Sequence, residues 1–526
     1  MKSNAGRPAS RAAFAIGLLT LAALALRLFM LDSKSLWLDE GATAERVLSD
    51  WRSLLIVVTT TQVNEALYYV LMHPWTDVMG ASEFMLRLPS AIFSAATIPL
   101  IYLLGVELYD RRVGFAAALL MTVHAVTLRY AQEARSYAML MLLVTISALF
   151  FIRAIKRPSL ANCAIYIAAG VLSVYAHLFG ILLLPAEFLA LFVLEARSRR
   201  RLMVSVLIFG MLAGPACVLA IAGDHGQADW IAAPTLYSYN LLAKMLLGAN
   251  MMVQFDHTEA AILLLYAIAI VWAVTSAVFR RAAHSAAIVF LVLMAALPIA
   301  AAAVASIVKP LLVDRYLLEC LPFVVILAAV GITEIPSRVT VYAMLAILTL
   351  CGIREDAAYY RYLQKEDWRD AVQYIAQGAR PADALIIYGE EGIRPVEYYR
   401  RRLDHPENFP QVAYPAWDPL YLTGGGFATT RELQGFNEFL RTAVLEPHDR
   451  VWLMLSHDAS QVTAPLLYAL HQVYPIAGGR TFVGVRVLLF ERTPEIYEAN
   501  PDRSDSLPAP PETVERQLAA PDGSPG

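Results

Sequence analysis

Charged side chains are scarce in this sequence: Asp, Glu, Lys and Arg make up 17% of its 526 residues, against 58% apolar. Soluble domains carry nearer a quarter charged and half apolar, so a wholly water-facing protein is excluded. The net charge of −3 supplies no basic field for nucleic acid. Cysteine is almost missing. Cys163, Cys217, Cys320 and Cys351 all lie in apolar stretches, and none has CxxC spacing. A cysteine zinc or redox centre is thereby excluded, as is a disulfide-stapled polar tail; the four read as small buried hydrophobes. The sequence also lacks GxGxxG, Walker and HExxH motifs. Gly424-Gly425-Gly426 reads as a loop without the strand–helix setting of a phosphate cradle.

What is present is a series of apolar runs long enough for helices that cross a bilayer, which need about 17–25 residues. Eleven are expected: Ala12–Leu31, Phe84–Leu108, Val113–Leu128, Tyr137–Ile152, Leu160–Tyr175, Leu178–Leu194, Leu202–Ala222, Ala260–Phe279, Ser285–Val308, Tyr316–Thr333 and Val339–Gly352. The first could be a signal peptide after Lys2, Arg7 and Arg11. Its length, and the lack of a small-residue cleavage site before Trp37, favour a retained span. Basic residues cluster in alternate short connections, at Arg111/Arg112, Arg153/Lys156/Arg157, Arg197/Arg199/Arg200/Arg201, Arg280/Arg281 and Arg338. Such connections face the cytoplasm, so the N-terminus is expected inside the cell membrane and the C-terminus outside it.

Three regions follow. Residues 1–353 form a membrane domain whose outer loop, 32–83, carries interfacial helices, since Asn64–Val78 is aromatic but too interrupted to span. Residues 354–493 form a small outer α/β domain. Its expected strands are Ala384–Tyr388, Arg450–Leu455 and Phe482–Glu491, and its expected helices Trp368–Gln377, Pro395–Arg402 and Ala464–Val473. Residues 494–526, rich in Pro, Asp, Ser and Glu, are expected to be disordered.

Polar groups where lipid meets water are costly unless paired or used, and three outward clusters qualify. In Ser35-Leu36-Trp37-Leu38-Asp39-Glu40, two neighbouring carboxylates suit a general base. Equally, they suit the N-terminal charges of the next helix. In Tyr130-Ala-Gln132-Glu133-Ala-Arg135-Ser136-Tyr137, the guanidinium suits a phosphate, or else an interfacial Arg–Glu pair among tyrosines. The third cluster comprises Tyr175 and His177 with Lys309, Arg315 and Tyr316. Alone, His177 reads as a packing residue, and Arg315 as a partner for Glu319 one turn on. His124, mid-span, reads as structural.

Together these motifs resemble a family. Trp37-Leu38-Asp39-Glu40, then Leu67-Tyr68-Tyr69, His73-Pro-Trp75 and Arg87-Leu-Pro-Ser90 are similar to membrane glycosyltransferases of the GT-C fold. So are Gln132–Tyr137, Tyr175-Ala-His177, Asp314-Arg315-Tyr316 and Glu366-Asp367-Trp368-Arg369. Within that fold the resemblance is to the protein O-mannosyltransferase, aminoarabinose transferase and rhizobial core galacturonosyltransferase group, in order over roughly residues 10–400. Asn64-Glu65-Ala66 departs from the group's His-Pro-Pro or Lys-Pro-Pro, so no metal ligand is carried over and metal or cofactor use stays open.

The resemblance implies a polyprenyl-phosphate sugar donor, delivered within the membrane, and inverting transfer to an acceptor hydroxyl of a lipid, glycan or protein. No cytoplasmic region is large enough for a nucleotide-sugar domain, which agrees. Asp39 would accept the hydroxyl proton and Glu40 would support it. Arg135, His177 and Arg315, with Tyr137 and Tyr316, would hold the phosphate; Glu133, Gln132 and Tyr69 would support the acceptor. A lipid-sugar flippase would show an internal repeat, and none is visible. An en bloc oligosaccharide ligase and a non-catalytic scaffold are the other readings.

Overall fold

A computed structural model describes residues 7–194, 196–223, 231–249, 256–280, 285–388, 392–412, 447–456, 467, 470–471 and 474–492. The chain divides into two compact units, Met1–Ser33 with Arg46–Leu363, and Lys34–Glu45 with Gln364–Gly526.

The first unit is helical. After α1 (Arg7–Leu28), and the segment α2 (Leu38–Val47) that runs between the units, come α3 (Trp51–Thr60), α4 (Ala66–Met79), α5 (Glu83–Leu108), α6 (Arg111–Thr122), α7 (Ala125–Ala131) and α8 (Tyr137–Lys156). Then follow α9 (Leu160–Ala176), α10 (Leu183–Val193), α11 (Arg199–Ala222), α12 (Leu236–Leu247), α13 (His257–Arg280), α14 (Ser285–Ala305), α15 (Leu321–Thr333) and α16 (Arg338–Tyr362). Among the described residues seven helices are long and apolar enough to cross a membrane, or nine if two bent pairs each count as one span. All eleven expected spans coincide with helices, but α9 and α10 fall short of the full crossing length, and α16, over the expected Val339–Gly352, is not among the helices apolar enough to cross. Every residue of α15 from Leu321 to Ile332 is buried, which is why that run is apolar all round rather than on one stripe.

One expected span is broken. The stretch Val113–Leu128 bends by 58° between α6 and α7, at His124, whose backbone is extended (φ −82°, ψ 109°). The break releases helix-end carbonyls that lipid could not satisfy. Arg27, fully buried at the end of α1, donates to Met121 O and Thr122 O, both at 3.4 Å, and to Thr127 Oγ1 at 2.9 Å. Gln132 closes the other side, its amide donating to Arg27 O at 3.1 Å and Phe29 O at 2.7 Å. Helices α3 and α4 meet at 108° through a 3₁₀ turn, Val63–Glu65. At 14 residues, α4 is about 21 Å long, short of the roughly 30 Å hydrocarbon layer.

The second unit holds a five-stranded sheet in the order β2-β1-β3-β5-β4. Its strands are β1 (Ala384–Tyr388), β2 (Gln411–Val412), β3 (Arg450–Ser456), β4 (Ile476–Phe482) and β5 (Val485–Glu491), with helices α17 (Trp368–Gly378) and α18 (Ile393–Arg400). β1 runs parallel to β2 and β3, and β5 antiparallel to β3 and β4. Trp368, Ala371, Val372 and Ile375 form the buried stripe of α17, at helical spacing. Where one strand, Phe482–Glu491, is expected, a hairpin stands: Phe482 pairs with Val485 across a turn whose Gly484 has φ +67°. Glycine there allows the positive φ that a two-residue turn needs. The expected boundary at 353/354 also differs, because α16 continues to Tyr362 with Glu355, Asp356 and Tyr359 buried. Of the expected helix Ala464–Val473 only Leu467, Leu470 and His471 are described, all three helical, while Gly424-Gly425-Gly426 and the tail from 494 lie outside the described residues.

Candidate active site

In the second unit, Asp39 and Glu40 open the first turn of α2, as helix-terminal charges do. Glu40 is wholly buried and accepts from Lys365 Nζ at 2.9 Å, with the lysine 6% exposed. Asp39 is half-buried. The segment leading to them is fastened from several sides. Tyr399 Oη lies 2.7 Å from Leu36 N and 3.2 Å from Ser35 Oγ, which in turn accepts from Arg369 N at 3.2 Å. Arg369 Nη2 donates to Lys34 O at 3.3 Å. A Cβ at Gly41 would come within 2.8 Å of Pro395, so this turn needs glycine for close approach to α18. The Glu366–Arg369 motif therefore holds the acidic turn, with Trp368 Nε1 on Glu366 Oε2 at 2.8 Å.

In the first unit the polar residues of three connections meet. Glu65, 2% exposed in the 3₁₀ turn, has one carboxylate oxygen 2.9 Å from Arg135 Nη2 and 3.1 Å from Ser136 Oγ. Its other oxygen accepts from Tyr69 Oη at 2.5 Å. Arg135 Nη1 and Arg46 Nη1 both donate to Tyr69 Oη, at 3.3 and 3.2 Å. Next to this network runs a chain of rings. Centroids lie 5.0 Å apart for Tyr130–Tyr137, 5.7 Å for Tyr137–His177, 5.0 Å for His177–Tyr316 and 5.2 Å for Phe179–Tyr316. Guanidiniums flank the two rings either side of His177, Arg135 at 5.9 Å from the Tyr137 ring and Arg315 at 5.9 Å from the Tyr316 ring. Asn64 Oδ1 accepts from Leu178 N at 3.0 Å and pins the turn that carries His177.

His177 is fully buried, and burial with the Arg135 and Arg315 charges pushes it down to about 3. Its surroundings therefore favour the neutral ring. Its Nδ1 accepts from Phe179 N at 3.4 Å, which places the ring proton on Nε2. Among the described residues that Nε2 has no hydrogen-bond partner, and neither has the buried Tyr137 hydroxyl. Two buried donors left without acceptors cost about 1–3 kcal/mol each, a deficit that an anionic ligand between the two arginines would remove.

Arg135, Tyr137, His177, Arg315 and Tyr316 are thus brought together by contacts within one unit, and Tyr69 joins them through Arg135. Glu133 instead faces Arg129 at 3.6 Å, and Gln132 closes the end of α1. Glu319 is wholly buried with no hydrogen-bond partner on either carboxylate oxygen, so it is not the partner of Arg315. Sequence reasoning passed over Glu65 and Arg46, because only the fold carries them to Arg135. Among the described residues no three His, Cys, Asp or Glu side chains converge as a metal site requires.

ArnT from Cupriavidus metallidurans bound to undecaprenyl phosphate superposes with a TM-score of 0.58 at 15% identity, covering 91% of this chain and 98% of that one. The chain has the GT-C fold. A second GT-C structure, the oligosaccharyltransferase AglB from Archaeoglobus fulgidus in complex with an inhibitory peptide and a dolichol-phosphate, has a TM-score of 0.52 at 12% identity. It covers 92% of this chain and 74% of that one. Residues 67–222 also match the model of the dolichyl-phosphate-mannose-protein mannosyltransferase family, itself of the GT-C type. No curated protein matches the sequence significantly.

Proposed function

We propose that this protein moves a monosaccharide from a polyprenyl phosphate to an acceptor hydroxyl on the outer face of a bacterial cell membrane. The observation that carries the reading is the pair of buried, unpartnered donors, His177 Nε2 and Tyr137 Oη, between Arg135 and Arg315. The match to the family model and the lipid phosphates bound to the two GT-C relatives support it.

In this reading the acceptor oxygen attacks the anomeric carbon as the bond from that carbon to the phosphate oxygen breaks, with inversion. The proton passes to Asp39, carried over from the resemblance, while the electron pair leaves on the phosphate. Polyprenyl phosphate is a stable leaving anion, so cations and neutral donors suffice in place of a general acid. Arg135, Arg315, His177 and Tyr137 stabilise that charge. Tyr316 closes the aromatic wall, and Tyr69 holds Arg135. Glu40 is a support, since Lys365 already neutralises it. The basic clusters at Arg111/Arg112, Arg153/Lys156/Arg157, Arg197/Arg199/Arg200/Arg201, Arg280/Arg281 and Arg338 lie on the cytoplasmic side, as basic loops do, while the connections of Arg135 and Arg315 and the sheet unit lie outside.

Purified protein incubated with polyprenyl-phosphate sugars and a membrane extract tests this. Transfer of label to an acceptor is expected. Movement of label across vesicles without transfer would overturn the reading in favour of a flippase. Transfer from diphosphate-linked oligosaccharides alone would overturn it in favour of an en bloc ligase, the reading that AglB brings to mind.

A further inference from the structure

Asn64-Glu65-Ala66, the one departure from the group's pattern, lies in the middle of the cationic cluster. A carboxylate at Glu65 sits 2.9 Å from Arg135, so it already neutralises much of the charge which that guanidinium would offer an incoming phosphate. It is held firmly there, buried to 2% exposure and engaged by Tyr69 and Ser136. Tyr69 is itself held by Arg46. Glu65 is therefore a fixed internal counter-ion.

Charge in the cluster follows simply. Arg46, Arg135 and Arg315 bring positive charge and Glu65 negative charge, with Arg129, Glu133 and Asp314 beside Tyr130. A fixed negative charge beside the binding guanidinium repels each further negative charge on a ligand, and more strongly where neighbouring side chains exclude water. A lipid monophosphate meets this repulsion with its charge of about −1.5 to −2. A lipid diphosphate, which carries more negative charge, meets it more strongly.

We propose that Glu65 is a specificity-determining residue, whose carboxylate sets the site's preference for a lipid monophosphate over a lipid diphosphate. The proposal rests on the phosphate-holding role of the Arg135 cluster. Removing the charge while keeping the shape releases the edge of Arg135 that faces Glu65 from its counter-ion, so that edge can take another anion. A phosphate can then serve as that anion.

The test is binding of farnesyl phosphate and farnesyl diphosphate to the full-length protein in detergent, read by displacement of a labelled analogue. Glu65→Gln is expected to bind both more tightly, with a further gain of about tenfold for the diphosphate relative to the monophosphate. Glu65→Asp retains the charge and is expected to keep the wild-type ratio within about twofold. The ratio is unaffected by a uniform loss of folded protein, so a merely structural role would not move it. An unchanged ratio in Glu65→Gln, or an equal shift in Glu65→Asp, would overturn the proposal. Wild-type protein that binds neither lipid, or whose binding ignores Arg135→Ala, would overturn the phosphate site itself, a different failure.

Discussion

Two carboxylates from the stretch 32–83, Glu40 and Glu65, are each buried against a cation, yet the two pairs differ in kind. Glu40 is matched with Lys365, a residue 325 positions away that is itself 6% exposed. An ammonium is a point charge on a flexible stem, and in such a pair it serves to fasten. Glu65 is matched with Arg135, whose guanidinium also reaches Tyr69 and lies beside the Tyr137 ring. A planar fork of five N–H donors can engage a carboxylate along one edge and a phosphate along another. The first pair therefore fastens the turn that carries Asp39, whereas in the proposed reading the second tunes a binding site. Acidic residues in a loop are thus not interchangeable candidates for catalysis; the cation each one meets decides its work.

The largest effect is expected where no such pairing substitutes for chemistry. Asp39→Asn should lower turnover by about 10²–10⁴, the usual contribution of a general base, while the protein inserts and melts as wild type. Near-normal turnover would remove Asp39 from the mechanism. Next comes the fastening pair. Lys365→Met strands a buried carboxylate, which costs about 3–5 kcal/mol, and should expose the second unit to protease. The double variant Lys365→Met/Glu40→Gln removes both charges and should recover most of that loss. Recovered transfer in the double variant would confine Glu40 to fastening; intact folding with lost transfer would make its charge catalytic and break the comparison.

The binding pair should respond differently. Arg135→Ala removes charge-assisted hydrogen bonds to a phosphate, about 2–3 kcal/mol. Donor KM should rise by about 30- to 100-fold with a smaller change in kcat. A donor titration showing unchanged KM would count against Arg135 as a phosphate ligand.

Much of this was readable beforehand, for a physical reason. Lipid tolerates no unsatisfied backbone and few charges, so helices such as Glu83–Leu108 declare themselves as apolar runs, here ending within one residue of the expected Phe84–Leu108. Polar residues at the ends of such runs are conspicuous, and Arg135, His177 and Arg315 stood out that way. Less could be read where a decisive contact joins distant positions. Nothing near Glu65 in the chain points to Ser136, 71 residues on, and nothing near Glu40 points to Lys365. The break at His124 was hidden too, because a buried arginine and two threonines satisfy it without interrupting the apolar pattern. In the sheet unit the Val483-Gly484 turn was readable, but alternation on both sides of it merged into one strand.

The smallest effect concerns how the acidic turn is held. Tyr399 Oη is within 2.7 Å of the Leu36 amide and 3.2 Å of Ser35 Oγ, both buried. Tyr399→Phe keeps the ring and removes only the oxygen, leaving the Leu36 N–H without its acceptor, at about 1–2 kcal/mol. Lys365 and Arg369 still hold the turn, so the unit should stay folded, with its melting temperature lowered by a few degrees. If Tyr399 acts by presenting Asp39, kcat should fall several-fold while donor KM is unchanged, the reverse of the Arg135→Ala pattern. A fall in stability with kcat intact would show that the turn tolerates play, and that the distinction between fastening and binding pairs reaches no further than Lys365.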